Sequence, residues 1–410
     1  MTLSNLRINI DRLAASIEDL AEIGAIAGGG VCRMALTDED RQGRDVVVKW
    51  MHELGLEVTV DQIGNVIGIR AGQESGKPVM TGSHIDTVAS GGRYDGNLGV
   101  LAGLEVIATL NEAEITTRKP IGVGFFTNEE GARFAPDMMG SGVHQGALEL
   151  KTMLDVLDNE GARVGDELEK IGYAGETSTG DFRADSYVEL HVEQGPILEL
   201  EDYEIGAVEG VQGISWNEYR ISGTANHAGT TPMRLRHDAG YVAAAISVEA
   251  RRLANEMGAN QIATVGVTKL NPGLINVIAK EALLTIDLRN TDEQKLQEAE
   301  QAMKSFIEHI CKAEGVTFSS RTLARFEPVT FNKTMVSLVA ETASALGFRV
   351  KSMPSGAGHD AQMFAPNCPT AMIFVPSRNG ISHNVAEYTE PNHLQAGTDV
   401  LLQMLLHKSA

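Results

Sequence analysis

Residues 121–134 read IGVGFFTNEEGARF, an apolar run that ends on two adjacent glutamates. The run is the length of a strand and too apolar to face water on either side, so it reads as a buried strand, Ile121–Thr127. Glu129 and Glu130 then stand at its inner end. A buried carboxylate must be paired, protonated or bound to a cation, and two side by side repel unless something positive lies between or beside them. The same texture recurs at Val58–Val60, Val66–Arg70, Val79–Ser83, Tyr187–Val192 and Thr370–Val375. Between these stretches lie helical patterns, notably Leu98–Leu110. Strands alternating with helices predict an α/β layer fold with a central sheet.

The chain has 410 residues, which predicts two domains, and 43% hydrophobic residues, ordinary for a globular protein. No run of about 18 apolar residues suggests a membrane span. The first 24 residues lack a basic-then-apolar leader pattern and read as an amphipathic helix with Leu13, Ile17, Leu20 and Ile23 on one face. A cytoplasmic protein is expected. The three cysteines, Cys32, Cys311 and Cys368, are far apart and offer neither a disulfide framework nor a cysteine zinc site. A net charge of −21 has the wrong sign for nucleic acid.

After Gly210 the texture changes. Strand Ile214–Ser222, helix Ala239–Glu256, strands Ile262–Leu270 and Leu283–Arg289, helix Asp292–Ala313 and a strand near Val316–Leu323 follow in β-α-β-β-α-β order, the ferredoxin-like pattern. The first texture then returns, with helix Met335–Leu346, strand Thr370–Val375 and a final helix near His393–Leu406. This places a small domain, 212–326, inside a larger catalytic domain made of 1–211 and 327–410.

Ligand sites in open α/β sheets collect at the carboxyl ends of strands. His84 and Asp86 follow VMTGS; Glu129 and Glu130 follow VGFFTN; His191 and Glu193 follow YVEL; His383 follows the strand at 370–375. Asp95 stands at the mouth of helix 98–110. Any one of these alone reads as an ordinary polar residue, and adjacent glutamates usually face water. Their recurrence at strand ends carries the argument, since three of the 11 histidines fall there. Such nitrogen and oxygen donors suit borderline divalent metals. His52, His309 and His407 read as surface helix residues, while His144, His237 and His393 remain undecided. Arg289 ends a strand, where it serves either a surface ion pair or a substrate carboxylate. Asn276 either caps a turn or meets substrate, and Gly356, Gly358 and His359 lie in a loop that reads as a plain turn or as pocket wall.

The stretches GSHIDTV (82–88), GGRYDGNLGV (91–100), FTNEEGARF (126–134), HVEQGP (191–196), GTANHAGTTPM (223–233) and GISHN (380–384) together resemble the M20 metallopeptidase superfamily. Within it, HVEQGP and NEEGARF resemble the amidase/carbamoylase branch: N-carbamoyl-L-amino-acid hydrolases, β-ureidopropionases and allantoate amidohydrolases. The likeness runs nearly end to end, with MMGSGVHQG (138–146) departing from it around Gly142 and His144. It implies two divalent ions (zinc, manganese, cobalt or nickel), one held by His84 and His191, the other by Glu130 and His383, with Asp95 bridging. It makes Asp86 the residue that orients His84 by accepting its hydrogen bond, and Glu129 the general base. It also implies substrate contacts from Gln194, Asn276, Arg289, Gly358 and His359, and an oxyanion role for His227. The small domain would serve as a lid and a dimerisation surface in a homodimer that carries His227 to the partner's site. The expected reaction is hydrolysis of the carbamoyl C–N bond of an N-carbamoyl-L-amino acid. The alternatives are allantoate, N-carbamoyl-β-alanine or an N-acyl amino acid as substrate, or a catalytically silent binding protein, against which the intact Glu129 and ligand set argue.

Overall fold

The computed structural model describes residues 6–181, 183–258 and 260–410. Residues 1–5, where the N-terminal amphipathic reading begins, lie outside them, as do Phe182 and Ala259 within the ranges given above to the two domains. By their contacts the residues form two compact units, Met1–Gly210 with Thr330–Ala410, and Val211–Val329.

The larger unit is built on a sheet of nine strands among the described residues. Its centre is four parallel strands in the order Thr370–Val375, Ser186–Val192, Val79–Ser83, Ile121–Phe125. Every residue of these four is buried, the mark of a parallel sheet covered on both faces. Antiparallel strands flank them: Val66–Arg70 beyond Ile121–Phe125, and Ile205–Val211 beyond Thr370–Val375. Helix Asn97–Glu112 packs on the strand Val79–Ser83, with helices Ile10–Ala21 and Pro391–Ser409 against it. All but its last two residues are buried, which accounts for its nearly continuous apolar sequence. The N-terminal helix turns Leu13, Ile17 and Leu20 into the core, and the Asn9 side chain caps its first N–H groups. The strand Ile205–Val211 leads out of this unit and Val329–Thr330 leads back. These two are neighbours in the sheet, and the Phe331 N–H donates to the Glu209 carbonyl at 2.9 Å.

The smaller unit is a sheet carrying two helices. Strand Gly213–Ser222 is central, paired on one side with Glu281–Asn290 and on the other with Thr317–Phe326. Helices Ala239–Met257 and Glu293–Glu314 pack together, and their apolar faces close the core over Tyr219, Ile221, Leu284, Ile286 and Leu288. The strand expected over Ile262–Leu270 is two short strands, Ile262–Thr264 and Thr268–Asn271, both antiparallel to Glu281–Asn290. Between them the register shifts by one residue; there the Thr285 N–H donates to the Val267 carbonyl at 3.1 Å, while the Thr285 hydroxyl accepts the Val267 N–H at 3.2 Å. Among the described residues no helix is long and apolar enough to cross a membrane.

Candidate active site

Because the four central strands are parallel, their carboxyl ends share one edge of the sheet. His84 follows the strand Val79–Ser83, Glu129 and Glu130 follow Ile121–Phe125, and His191 is the penultimate residue of Ser186–Val192. Asp95 precedes helix Asn97–Glu112, and His383 comes from the loop after Thr370–Val375. The two oxygens of Asp95 divide this set. Oδ1 lies 3.3 Å from His191 Nε2 and 3.7 Å from His84 Nε2, and Oδ2 lies 3.5 Å from His383 Nε2. Glu130 Oε2 is 3.2 Å from His383 Nε2, and Glu129 Oε2 is 3.2 Å from His84 Nε2. Two triads, His84–Asp95–His191 and Asp95–Glu130–His383, thus share one carboxylate.

The imidazole tautomers follow from their partners. His84 Nδ1 lies 2.9 Å from the Asp86 carbonyl and His191 Nδ1 lies 2.9 Å from the Val192 carbonyl. A carbonyl can only accept, so both Nδ1 atoms carry hydrogen and each ring turns Nε2 toward Asp95. The Gly96 N–H, aimed at His191 Nε2 from 3.1 Å, agrees. The expected hydrogen bond from His84 to Asp86 is made, but to the backbone oxygen. The Asp86 carboxylate is 3.9 Å from His84 Nδ1 and does not take it. The carboxylate instead accepts the N–H groups of Glu129 (3.2 Å) and Glu130 (3.3 Å), so it fixes the turn that carries the acidic pair.

Burial and like charge drive the electrostatics. Burial, then the charges of Asp360, Glu130, Asp86 and Asp95, push the Glu129 carboxyl well above the usual carboxylate range. Glu130 is raised by burial and by Asp95, against the pull of His383. Burial alone would raise Asp95 too, but the facing His191, His84 and His383 hold it low. Burial lowers His84. His383 is pushed up to about 9 by its bond to Glu130.

This donor set fits divalent cations. It offers two Nε2 lone pairs on fixed rings, a third histidine and a shared carboxylate, with nitrogen and oxygen types suited to zinc or manganese. Two adjacent acids, both raised by burial and by nearby carboxylates, are the groups whose ionised forms a cation would stabilise.

Gln194, Ala357, Gly358 and His359 line the same cavity of about 110 Å³, together with Asp137. Gln194 Nε2 donates to Asp95 Oδ2 at 2.8 Å, whereas its buried Oε1 accepts no hydrogen bond among the described residues. The ring of His359 is 4.5 Å from that of His191, and its Nε2 bonds the Ser355 hydroxyl at 2.9 Å. Gly356 is not among the lining residues. Glu193 stands outside the cluster and accepts the Ile197 and Leu198 N–H groups at 2.8 Å, starting a short helix. His144 is buried against Phe126 and Phe364 with Nδ1 3.5 Å from Asp61, a packing role, and His237 Nδ1 bonds the Glu314 carbonyl.

The candidates in the smaller unit are held locally. Arg289 pairs with Asp287 at 3.0 Å and stacks its guanidinium 5.8 Å from the Trp216 ring. The Asn276 carbonyl accepts the Ala228 N–H at 2.9 Å, tying its loop to that of His227. His227 is exposed, and its Nδ1 accepts the N–H groups of Gly229 (3.0 Å) and Thr230 (3.3 Å). With Nδ1 accepting, Nε2 is the ring atom left to donate a hydrogen bond.

Several supporting residues escape a reading of motifs. Arg33, fully buried, donates to the carbonyls of Leu20, Ile23 and Ile85 and to Asn97 Oδ1. It thereby ties the N-terminal helix to the His84 loop and to the helix behind Asp95. Ser382 donates to Asp95 Oδ2 at 3.0 Å, and the Ser377 hydroxyl accepts the Gln194 N–H at 3.0 Å. Gly96 has φ +65°, and a Cβ there would fall 2.3 Å from the His84 ring, so only glycine admits that ring. Its place in the GGRYDGN stretch was the available signal.

A histidine–carboxylate cluster at parallel strand ends, with an acid beside it and a cavity in front, defines a hydrolytic site of the metal-dependent kind. The chain belongs to peptidase family M20/M25/M40, whose profile matches residues 80–407. It is 40% identical over 403 residues to an N-carbamoyl-L-amino-acid amidohydrolase of Rhizobium meliloti, covering 98% of this chain and 97% of that protein. It is 35% identical over 391 residues to an allantoate amidohydrolase of Escherichia coli, covering 94% and 95%. A crystal structure of an amidase of the hydantoinase/carbamoylase family from Burkholderia multivorans superposes with a TM-score of 0.96 at 42% identity over 98% of each chain.

Proposed function

We propose that this hydrolase of C–N bonds removes the carbamoyl group of N-carbamoyl-L-amino acids, giving the amino acid, carbon dioxide and ammonia. The observation that carries the reading is the full-length likeness to proteins named for that reaction. The unused Oε1 of Gln194 in the cavity supports it, since a ureido group brings N–H donors that an acyl group lacks.

His84 and His191 would hold one divalent ion, Glu130 and His383 a second, and Asp95 both. Zinc, manganese, cobalt and nickel all suit these ligands. Such a pair lowers the pKa of bound water and polarises a carbonyl. Glu129 takes the proton of the attacking water and returns it to the departing nitrogen, a role suited to a carboxyl raised by burial. Asp86 fixes that carboxyl through the turn at 129–130. Gln194, Gly358 and His359 orient the ureido group. Arg289 clamps the substrate carboxylate with its planar fork, and Asn276 assists. His227 donates from Nε2 to the developing oxyanion.

The small domain, 212–326 by the sequence boundaries, would act as lid and dimer surface in a homodimer, with His227 serving the partner's site. Its exposed Tyr241, Val248, Leu270, Leu274 and Ile275 suit such a surface. All three cysteines are free thiols, which suits the reducing cytoplasm. Allantoate is the second reading, supported by relatives of that name at 35% identity. Purified protein supplied with manganese or zinc and a panel of N-carbamoyl-L-amino acids, N-carbamoyl-β-alanine, allantoate and N-acetyl amino acids separates these. Ammonia release fastest from the N-carbamoyl-L-amino acids supports the first reading, and fastest release from allantoate replaces it. Acetate release from the acyl panel without ammonia release from the others removes both.

A further inference from the structure

Glu387 lies on the loop that carries His383, four positions further along, and is 5% exposed. Its Oε1 accepts two backbone N–H groups, those of Tyr94 at 3.0 Å and Asp95 at 3.1 Å. Its carboxyl group rests on the bare backbone of Gly92, where a Cβ would fall 2.3 Å from both Cδ and Oε1. Its second oxygen, Oε2, makes no hydrogen bond among the described residues. Burying a carboxylate and leaving one oxygen idle is costly, and no step of the proposed reaction touches this group. The two bonds it does make span 293 and 292 positions of sequence. They join the segment holding Asp95 to the segment holding His383, and neither of those residues lies within a strand. His383 itself has φ +52°, a conformation that a side-chain-bearing residue keeps only when its surroundings enforce it.

We propose that Glu387 is a positioning residue that clamps the Asp95 and His383 segments together and so sets the spacing of the donors in both triads. The proposal rests on the two-cation reading of the site. Since one oxygen takes both N–H groups, an amide oxygen can stand in for it. Negative charge is then not what the site requires from this residue.

The test uses the full chain, stripped of metal, as wild type, Glu387→Ala, Glu387→Gln and Gly92→Ala. Manganese and zinc are titrated in by calorimetry, and far-UV circular dichroism with thermal unfolding of the metal-free forms reports folding. Glu387→Ala should bind about 10–100-fold more weakly, the usual cost of losing a partner behind a metal ligand. Both ions should be affected, because Asp95 is shared. Gly92→Ala, which pushes the carboxyl off its seat while leaving every donor residue in place, should show the same loss in a folded protein. Glu387→Gln should stay close to wild type. Wild-type affinity in Glu387→Ala or in Gly92→Ala overturns the proposal. So does a loss in Glu387→Gln equal to that in Glu387→Ala, which would mean charge and not the clamp. Should Glu387→Ala fail to fold, the Gly92→Ala and Glu387→Gln pair decides. Wild type that binds no divalent ion removes the two-cation reading itself and the clamp with it, an outcome visible before any variant is made.

Discussion

The two units hold their candidate functional residues in opposite ways. In the larger one, His84, Asp95, Glu129 and His191 are buried and brace one another from rigid strand ends. In the smaller one, His227 and Asn276 sit on exposed loops, and Arg289 stands on a sheet face in an ion pair with Asp287. Donors that must converge on ions are worth the burial of charge, because geometry decides whether they bind. Groups that meet a substrate must stay reachable, and satisfy themselves locally until it arrives. The contrast predicts steep, all-or-none losses from changes in the first set and graded, substrate-dependent losses from the second.

The largest effect should come from metal removal. Chelation is expected to abolish activity, with recovery on adding manganese or zinc and about two ions per chain by elemental analysis, the number that two triads sharing Asp95 imply. Full activity in a metal-free preparation would break the buried half of the comparison. Next, Glu129→Gln should lower kcat by roughly 10²–10⁴-fold with metal content unchanged, while Glu130→Gln should lose one ion. The reverse pattern would exchange the roles of the adjacent pair. For the exposed half, Arg289→Lys keeps charge but loses the fork. Wild type should prefer a free acid over its amide, and the variant should lose most of that preference, mainly through KM. An unchanged preference would take Arg289 out of the pocket. The smallest signal tests exchange between subunits. Mixing inactive His227→Ala and Glu129→Gln proteins should restore up to roughly a quarter of the sites, as two-fold symmetry requires. No recovery despite proven subunit exchange would keep His227 within its own chain.

Much of this was legible in the sequence, for identifiable reasons. Parallel strands buried on both faces leave unbroken apolar runs, and the residues after them fall at one edge of the sheet, so His84, Glu129, Glu130, His191 and His383 could be found by position. Asp95 was legible as the residue opening an unusually apolar helix. Helix Asp38–Glu53 was missed because its sequence, DEDRQGRDVVVKWMHE, reads as a charged surface. Its inner face in fact carries an internal ion pair, Arg44 with Asp40 at 2.8 Å, and Arg44 also donates to the Gly64 carbonyl. Periodicity counts apolar residues and cannot see charge satisfied inside the core. Arg33 was missed for the same reason. Asp86 shows a different limit: its nearness to His84 in sequence was right, but which of its oxygens takes the Nδ1 hydrogen depends on how the loop turns, and no spacing encodes that.

The way the chain leaves and re-enters the large sheet bears on how such enzymes diversify. The strands Ile205–Val211 and Val329–Thr330 are neighbours, and the Phe331–Glu209 hydrogen bond closes the gap behind the insertion. A host whose cut ends are already stitched together tolerates lengthening, trimming or wholesale exchange of what lies between them. Exchanging residues 212–328 would therefore leave His84, Asp95, Glu129, Glu130, His191 and His383 in the host, while the contacts proposed for His227, Asn276 and Arg289 would have to come from the new segment.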